Sequence, residues 1–143
     1  MLNILASVFC YDIWFYISHI LLHTPFLYKF HHEHHMKKFP TFLDTYVGHS
    51  LEGPFQGMGA LVPFCVYTYS VLDICIVLAI LNIRGMMRHD ARFVFIIGDH
   101  HLLHHCYPKY NFGEPWIDRL CGTMRPLGLE PLALKPLLLN PNK

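Results

Sequence analysis

Three histidine clusters constrain this chain more than any other feature: His19/His23, His31/His34/His35 and His101/His104/His105. On a helix, residues three or four apart share a face. Each cluster is therefore expected to aim its imidazoles at one point. For all three to serve one site, every segment between them must return to the same side of whatever the chain crosses. His32 and His100 lie one residue off their cluster's face. His100 also stands four before His104, which leaves the ligand choice there open by one position.

The chain crosses a membrane on compositional grounds. Hydrophobic residues make up 53% of its 143 residues and charged ones 15%, against roughly 25% charged in soluble domains. Mean hydropathy is +0.30. Leu2 to Leu22 is predominantly apolar and long enough for one span. Asp12 and His19 inside it, and the lack of a basic start, argue against a signal peptide. Phe26–Lys38 is expected to be mostly helix, and Pro40–Pro54 a loop or interfacial segment. Phe55–Ile83 is a second apolar block, followed by a basic segment from Arg84 to Arg92. By the positive-inside rule, Lys29, Lys37, Lys38, Arg84, Arg88 and Arg92 share the cytosolic face. The second block is then expected to be a short or re-entrant hairpin turning near Tyr69 to Asp73.

The expected fold is all-α: an integral membrane helical bundle over residues 1–125, with a cytosol-facing histidine-rich metal site. Residues 126–143 read as a Pro/Leu-rich tail lying along the membrane surface. The formal net charge of +1 points to no nucleic-acid partner. Five cysteines with no CxxC pair argue against a disulfide framework.

Imidazole ligands suit zinc, copper, iron and nickel. Structural zinc takes four ligands, usually including cysteine. Eight to ten histidines exceed the needs of one ion and point to two. His49 and His89 are further candidates from connecting segments. Among the carboxylates, Asp12 is ionisable inside a span, a functional signal by default. Asp12 and Glu52 are expected to orient ligand imidazoles through their ring N–H. Asp99 is expected to cap the helix that follows it, and Asp118 and Arg119 to form an ion pair or cap.

The order of motifs resembles the fatty acid hydroxylase/sterol desaturase superfamily. The residues carrying it are HILLH (His19–His23), HHEHH (His31–His35), HHLLHH (His100–His105), NFG (Asn111–Gly113) and WIDRLCGT (Trp116–Thr123). The upstream YDIWFYISH and the GHSLEGP segment also match, the latter with Ser50 in place of the usual proline. The segment around His89, RHDAR, departs from the family's usual glycine and tyrosine before its aspartate.

The resemblance implies a membrane enzyme of the endoplasmic reticulum, or of a bacterial membrane. It implies two irons held by His19, His23, His31, His34, His35, His49, His89, His101, His104 and His105, with His100 beside them. It implies O2 as co-substrate and electrons from an external donor, through cytochrome b5 or an NAD(P)H-dependent reductase chain. The reaction would hydroxylate or desaturate a membrane lipid, sterol-type or fatty-acyl. The GHSLEG segment tilts the reading toward a sterol-type lipid. The rival readings are an inactive metal-binding member that scaffolds lipid enzymes, and a b-type haem carrier. Haem needs one histidine from each of two helices, not triplets.

Overall fold

The computed structural model describes residues 1–126, and all regular structure among them is helical. The tail from Leu127 onward, with its expected surface location, lies outside the described residues. Helix α1 spans Leu2–Leu22 and ends at His23 and Thr24, whose hydroxyl donates to Leu21 O. Pro25 follows and cannot continue the helix. Among the described residues α1 is the one helix long and apolar enough to cross a membrane. Leu2, Leu5, Phe9, Ile13, Ile17 and Leu21 are exposed. Their three- and four-residue spacing makes one continuous apolar stripe. Ser7, Tyr16, Ser18, His19 and Leu22 are buried on its other side.

The second apolar block folds as two limbs, both packed on α1. The first limb is α2 (Glu52–Gly57), continued by a 3-10 stretch from Met58 to Cys65. Pro63 lies in that stretch and removes an N–H donor. Trp14 Nε1 donates to Phe55 O at 2.7 Å, and Ser7 Oγ to Ala60 O at 3.0 Å. Contact is closest at Gly59, where a Cβ would stand 2.3 Å from Trp14 Cβ and 2.8 Å from Cys10 O. The second limb is α3 (Val71–Arg88), which opens on a capping box between Ser70 and Asp73. The chain thus reverses between Cys65 and Val71. α3 also runs through the segment read as a separate basic stretch. Arg84 and Arg88 are helical, and both pair with Glu114.

Phe26–Lys38 is not a helix. It forms two 3-10 turns, Tyr28–Phe30 and His34–Met36, joined by irregular turns. His31, His34 and His35 must be distributed between two places, described below, which favours tight turns over a continuous cylinder. Short helices complete the chain: α4 (Val94–Ile97), α5 (His100–Cys106) and α6 (Pro115–Cys121). Asp99 occupies the position before α5, but its side chain makes no capping bond. α6 starts with proline in its first turn and ends at Gly122 with φ 72°, a left-handed C-cap that favours glycine.

Candidate metal centre

The folded chain gathers nine imidazoles into two adjoining groups. His19, His23, His31, His35 and His104 form one; His34, His89, His101 and His105 form the other. Within each group the ligand-capable nitrogens lie within 4.8 Å of one another. The groups touch: His35 and His105 have ring centroids 4.8 Å apart, and His31 and His34 5.1 Å apart.

His19 and His23 share one group as expected, but the placement corrects the expectation that each H-x-x-H-H cluster aims at one point. His31 and His35 join the first group, while His34 crosses to the second. In α5, His101 and His105 join the second group, while His104 crosses to the first. In α5 helical geometry gives the reason. At about 3.6 residues per turn, positions i and i+4 differ by about 40° around the axis, but i+3 and i+4 by about 100°. The His31–His35 motif makes the same division from its 3-10 and irregular turns, and the two motifs interlock.

Carbonyl oxygens set the tautomers. His19 Nδ1–H donates to Phe112 O at 2.6 Å and His104 Nδ1–H to Tyr110 O at 2.7 Å. His34 donates to Val47 O at 3.1 Å, His89 to Gly85 O at 2.7 Å, and His105 to Lys37 O at 3.2 Å. A carbonyl can only accept, so each of these neutral rings keeps a lone pair on Nε2. Yet His34 Nε2 and His89 Nε2 stand 3.0 Å apart. Two lone pairs at that distance cannot form a hydrogen bond. His19 Nε2 and His31 Nε2 are also 3.0 Å apart, with His31 Nδ1 held by Glu52 Oε1 at 2.8 Å. His105 Nε2 is buried with no partner at all. Such an arrangement is complementary to a cation. The spacing is informative as well. Two nitrogens bound about 2.1 Å from one ion lie about 3.0 Å apart at a right angle and about 3.4 Å at the tetrahedral angle. The close Nε2 pairs across both groups stand at 3.0 to 3.1 Å.

The electrostatics agree. Burial, with help from neighbouring imidazoles, holds the pKa of His35 and of His89 down to about 3. It also lowers those of His31, His34, His101, His104 and His105. All stay neutral near pH 7, the state a metal requires. Burial pushes the Glu52 carboxyl up to about 8, and its Oε2 has no partner. A cation behind His31 is the charge that would keep Glu52 ionised.

The other expected residues divide. Glu52 does hold a ligand-candidate ring. Asp12 does not: it accepts from Arg84 at 2.7 Å. It lies seven residues before His19, about 10 Å along the axis, beyond the reach of its short side chain. His49 joins neither group; it is exposed, packs against Phe30, and accepts from Leu51 N. His100 donates to Asp118 at 2.9 Å, so Asp118 pairs with His100 where Arg119 was expected. His32 is exposed and meets Tyr28 edge-on. His89 belongs to the second group despite its divergent segment. The locking carbonyls went unanticipated, because a backbone acceptor leaves no residue-type signal.

A cavity of about 240 Å³ reaches both groups, through His19 and His31 on one side and His34, His89 and His101 on the other. Tyr11, Phe15 and Arg88 also line it. Glu52 and Pro54 are shared with a neighbouring apolar cavity of about 430 Å³ among Leu22, Phe30, Phe55 and Met58.

A family model described as fatty acid hydroxylase matches residues 4–123, which includes all nine imidazoles. The chain belongs to the fatty acid hydroxylase family. It is 28% identical over 137 residues to human (Homo sapiens) lathosterol oxidase, covering 87% of this chain and 46% of that protein. It is 30% identical over 123 residues to a Delta(7)-sterol 5(6)-desaturase of Leptosphaeria maculans, covering 80% and 34%. A Delta(7)-sterol 5(6)-desaturase of Candida glabrata is 28% identical over 127 residues, covering 82% and 35%. The chain thus spans less than half the length of these relatives. No solved structure gives a significant match.

Proposed function

We propose that this chain is an O2-dependent di-iron oxidoreductase that hydroxylates or desaturates a membrane lipid, sterol-type by preference. The observation that carries the reading is the pair His34 and His89, whose Nε2 lone pairs face each other at 3.0 Å with both tautomers set by carbonyls. The named relatives favour a sterol-type lipid. Nitrogen spacings near 3.0 Å support right-angle coordination with open positions over tetrahedral structural zinc.

When bound, two irons supply O2 activation and the oxidising power to break a C–H bond. The protein's own contributions follow from its groups. His19, His23, His31, His35 and His104 hold one ion; His34, His89, His101 and His105 hold the other. The five carbonyls and Glu52 keep the rings in the ligating tautomer. The cavity beside both groups receives the reacting part of the lipid, with Tyr11 and Phe15 as apolar walls. Burial of the imidazoles excludes water from the same space. Electrons come from cytochrome b5 or a similar donor chain, and the site faces the cytosol of the endoplasmic reticulum in a eukaryote.

The test is His104→Ala, which removes a ring central to the first group. Lipid turnover and the iron at that group are expected to disappear. Full turnover in an iron-quantified preparation would sink the proposal.

A further inference from the structure

The NFG and WIDRLCGT motifs are not absorbed by ligand binding, yet they converge on one side chain. Asp118 is fully buried, at 0% exposure. Its Oδ1 accepts from Phe112 N at 2.9 Å and Thr123 Oγ1 at 2.7 Å. Its Oδ2 accepts from Gly113 N at 2.8 Å and His100 Nε2 at 2.9 Å. Four donors meet two oxygens, which only a carboxylate can satisfy. The loop it holds is otherwise unfavourable, since Asn111 adopts φ 61°. Asn111 is itself tied down: its side chain donates to His100 O and accepts from Arg125 N, and its own N–H donates to Thr123 O. Gly113 lies against Tyr16, where a Cβ would come within 2.9 Å of the ring-bearing Cβ. This loop carries the Tyr110 and Phe112 carbonyls that receive the Nδ1–H of His104 and His19.

We propose that Asp118 is a positioning residue chiefly for one metal group: by fixing the Tyr110–Gly113 loop it aims His19 and His104, and so governs occupancy of the five-imidazole group, while its bond to His100 steadies the start of α5, which both groups share. The four-imidazole group takes its carbonyls from Val47, Gly85 and Lys37, none of which Asp118 touches. The inference rests on the metal-binding part of the proposed function, but not on the identity of the lipid or on turnover.

Asp118→Asn keeps the size and removes the all-acceptor character. Whichever way the amide lies, its NH2 faces a backbone N–H. The experiment titrates Co²⁺ into the detergent-solubilised, metal-free full chain, followed by its visible absorption and by metal equivalents per chain. Wild type is expected to bind two ions. Asp118→Asn is expected to weaken one by about 10–100-fold and leave the other, with helix content by circular dichroism unchanged. Adding His101→Ala should remove the remaining ion, while adding His104→Ala should abolish only the already weakened one. Thr123→Val, which deletes one of the four bonds, should give a smaller loss at the same group.

Equal weakening of both ions, or none, overturns the proposal. So does an Asp118→Asn chain whose remaining ion is lost with His104→Ala. Two ions in wild type with the selective loss in Asp118→Asn, but no lipid oxidation, would leave this proposal standing and refute the oxygenase reading. A wild-type chain that binds no metal refutes both.

Discussion

The two imidazole groups are built from the same motifs but secured differently. Both are assembled largely from shared H-x-x-H-H segments. The five-imidazole group hangs from the end of α1 and from a loop clamped by buried Asp118. The four-imidazole group hangs from the end of α3 and from turns near Lys37 and Val47, which an exposed ion pair, Lys37–Asp44, brings together. All four of its rings are buried, whereas His23 and His35 of the other group are partly accessible. Equal ligand chemistry does not imply equal sites: the acceptors behind the rings decide how firmly each is held.

The largest effects that test this contrast come from the rings themselves. His89→Ala should empty the four-imidazole group and abolish lipid turnover, while the five-imidazole group still takes up one metal equivalent in a Co²⁺ titration. Loss of both ions would show the groups to be one cooperative site. Glu52→Gln should act on the other side. It leaves the His31 ring in place but removes its charged partner, and should weaken metal at the five-imidazole group by about 10–100-fold, read by competition with a chelator. Equal weakening at both groups would erase the distinction.

Gly59→Ala should touch neither group directly. It drives a Cβ into Trp14 and the α1 backbone, and should cost about 1–3 kcal/mol of stability, measured by thermal unfolding in detergent. Asp44→Asn should be smaller, about 0.2–1 kcal/mol, because Lys37 is largely exposed. Its hydrogen bonds to Lys37 and to the Thr41 backbone lower the Asp44 pKa to about 2, below the roughly 3.9 of a free aspartate. The stabilisation is therefore complete above about pH 4 and fades as pH falls through about 2. The variant should lose that acid-side dependence in unfolding of the metal-free chain. His49→Ala should be silent for metal content, within about half an equivalent of wild type by elemental analysis.

Much of this was legible from residue types. Spacing marked His19, His23, His31, His34, His35, His101, His104 and His105, because imidazoles at i, i+3 and i+4 in a charge-poor chain have few other uses. The first helix was legible because Leu2–Leu22 has the length and composition of a candidate span, and it folds as one helix. What spacing could not show was the split of each triplet between two groups. That depends on the 100° offset between neighbouring rings in α5, on the tight turns that replace a helix at His31–His35, and on which partner segment faces each ring. Asp12 misled because it shares a helical face with His19 yet lies two turns away, and Arg84 meets it from a distant part of the chain. The hydrogen bonds of Asp118 were hidden because two of its four donors are the backbone N–H groups of Phe112 and Gly113, which residue identity does not reveal. His49 stood in a matching segment, but only folding shows that its ring turns to Phe30.

Gly59 has a mechanical consequence. The helix long and apolar enough to span a bilayer also carries His19 on its last turn, so a tilt of α1 moves that imidazole. A membrane thinner or thicker than the span invites such tilting. With no side chain at Gly59, the Met58–Cys65 limb seats directly against α1. Such close seating is expected to stiffen α1 as a splint does and to limit how far a change in bilayer thickness moves His19.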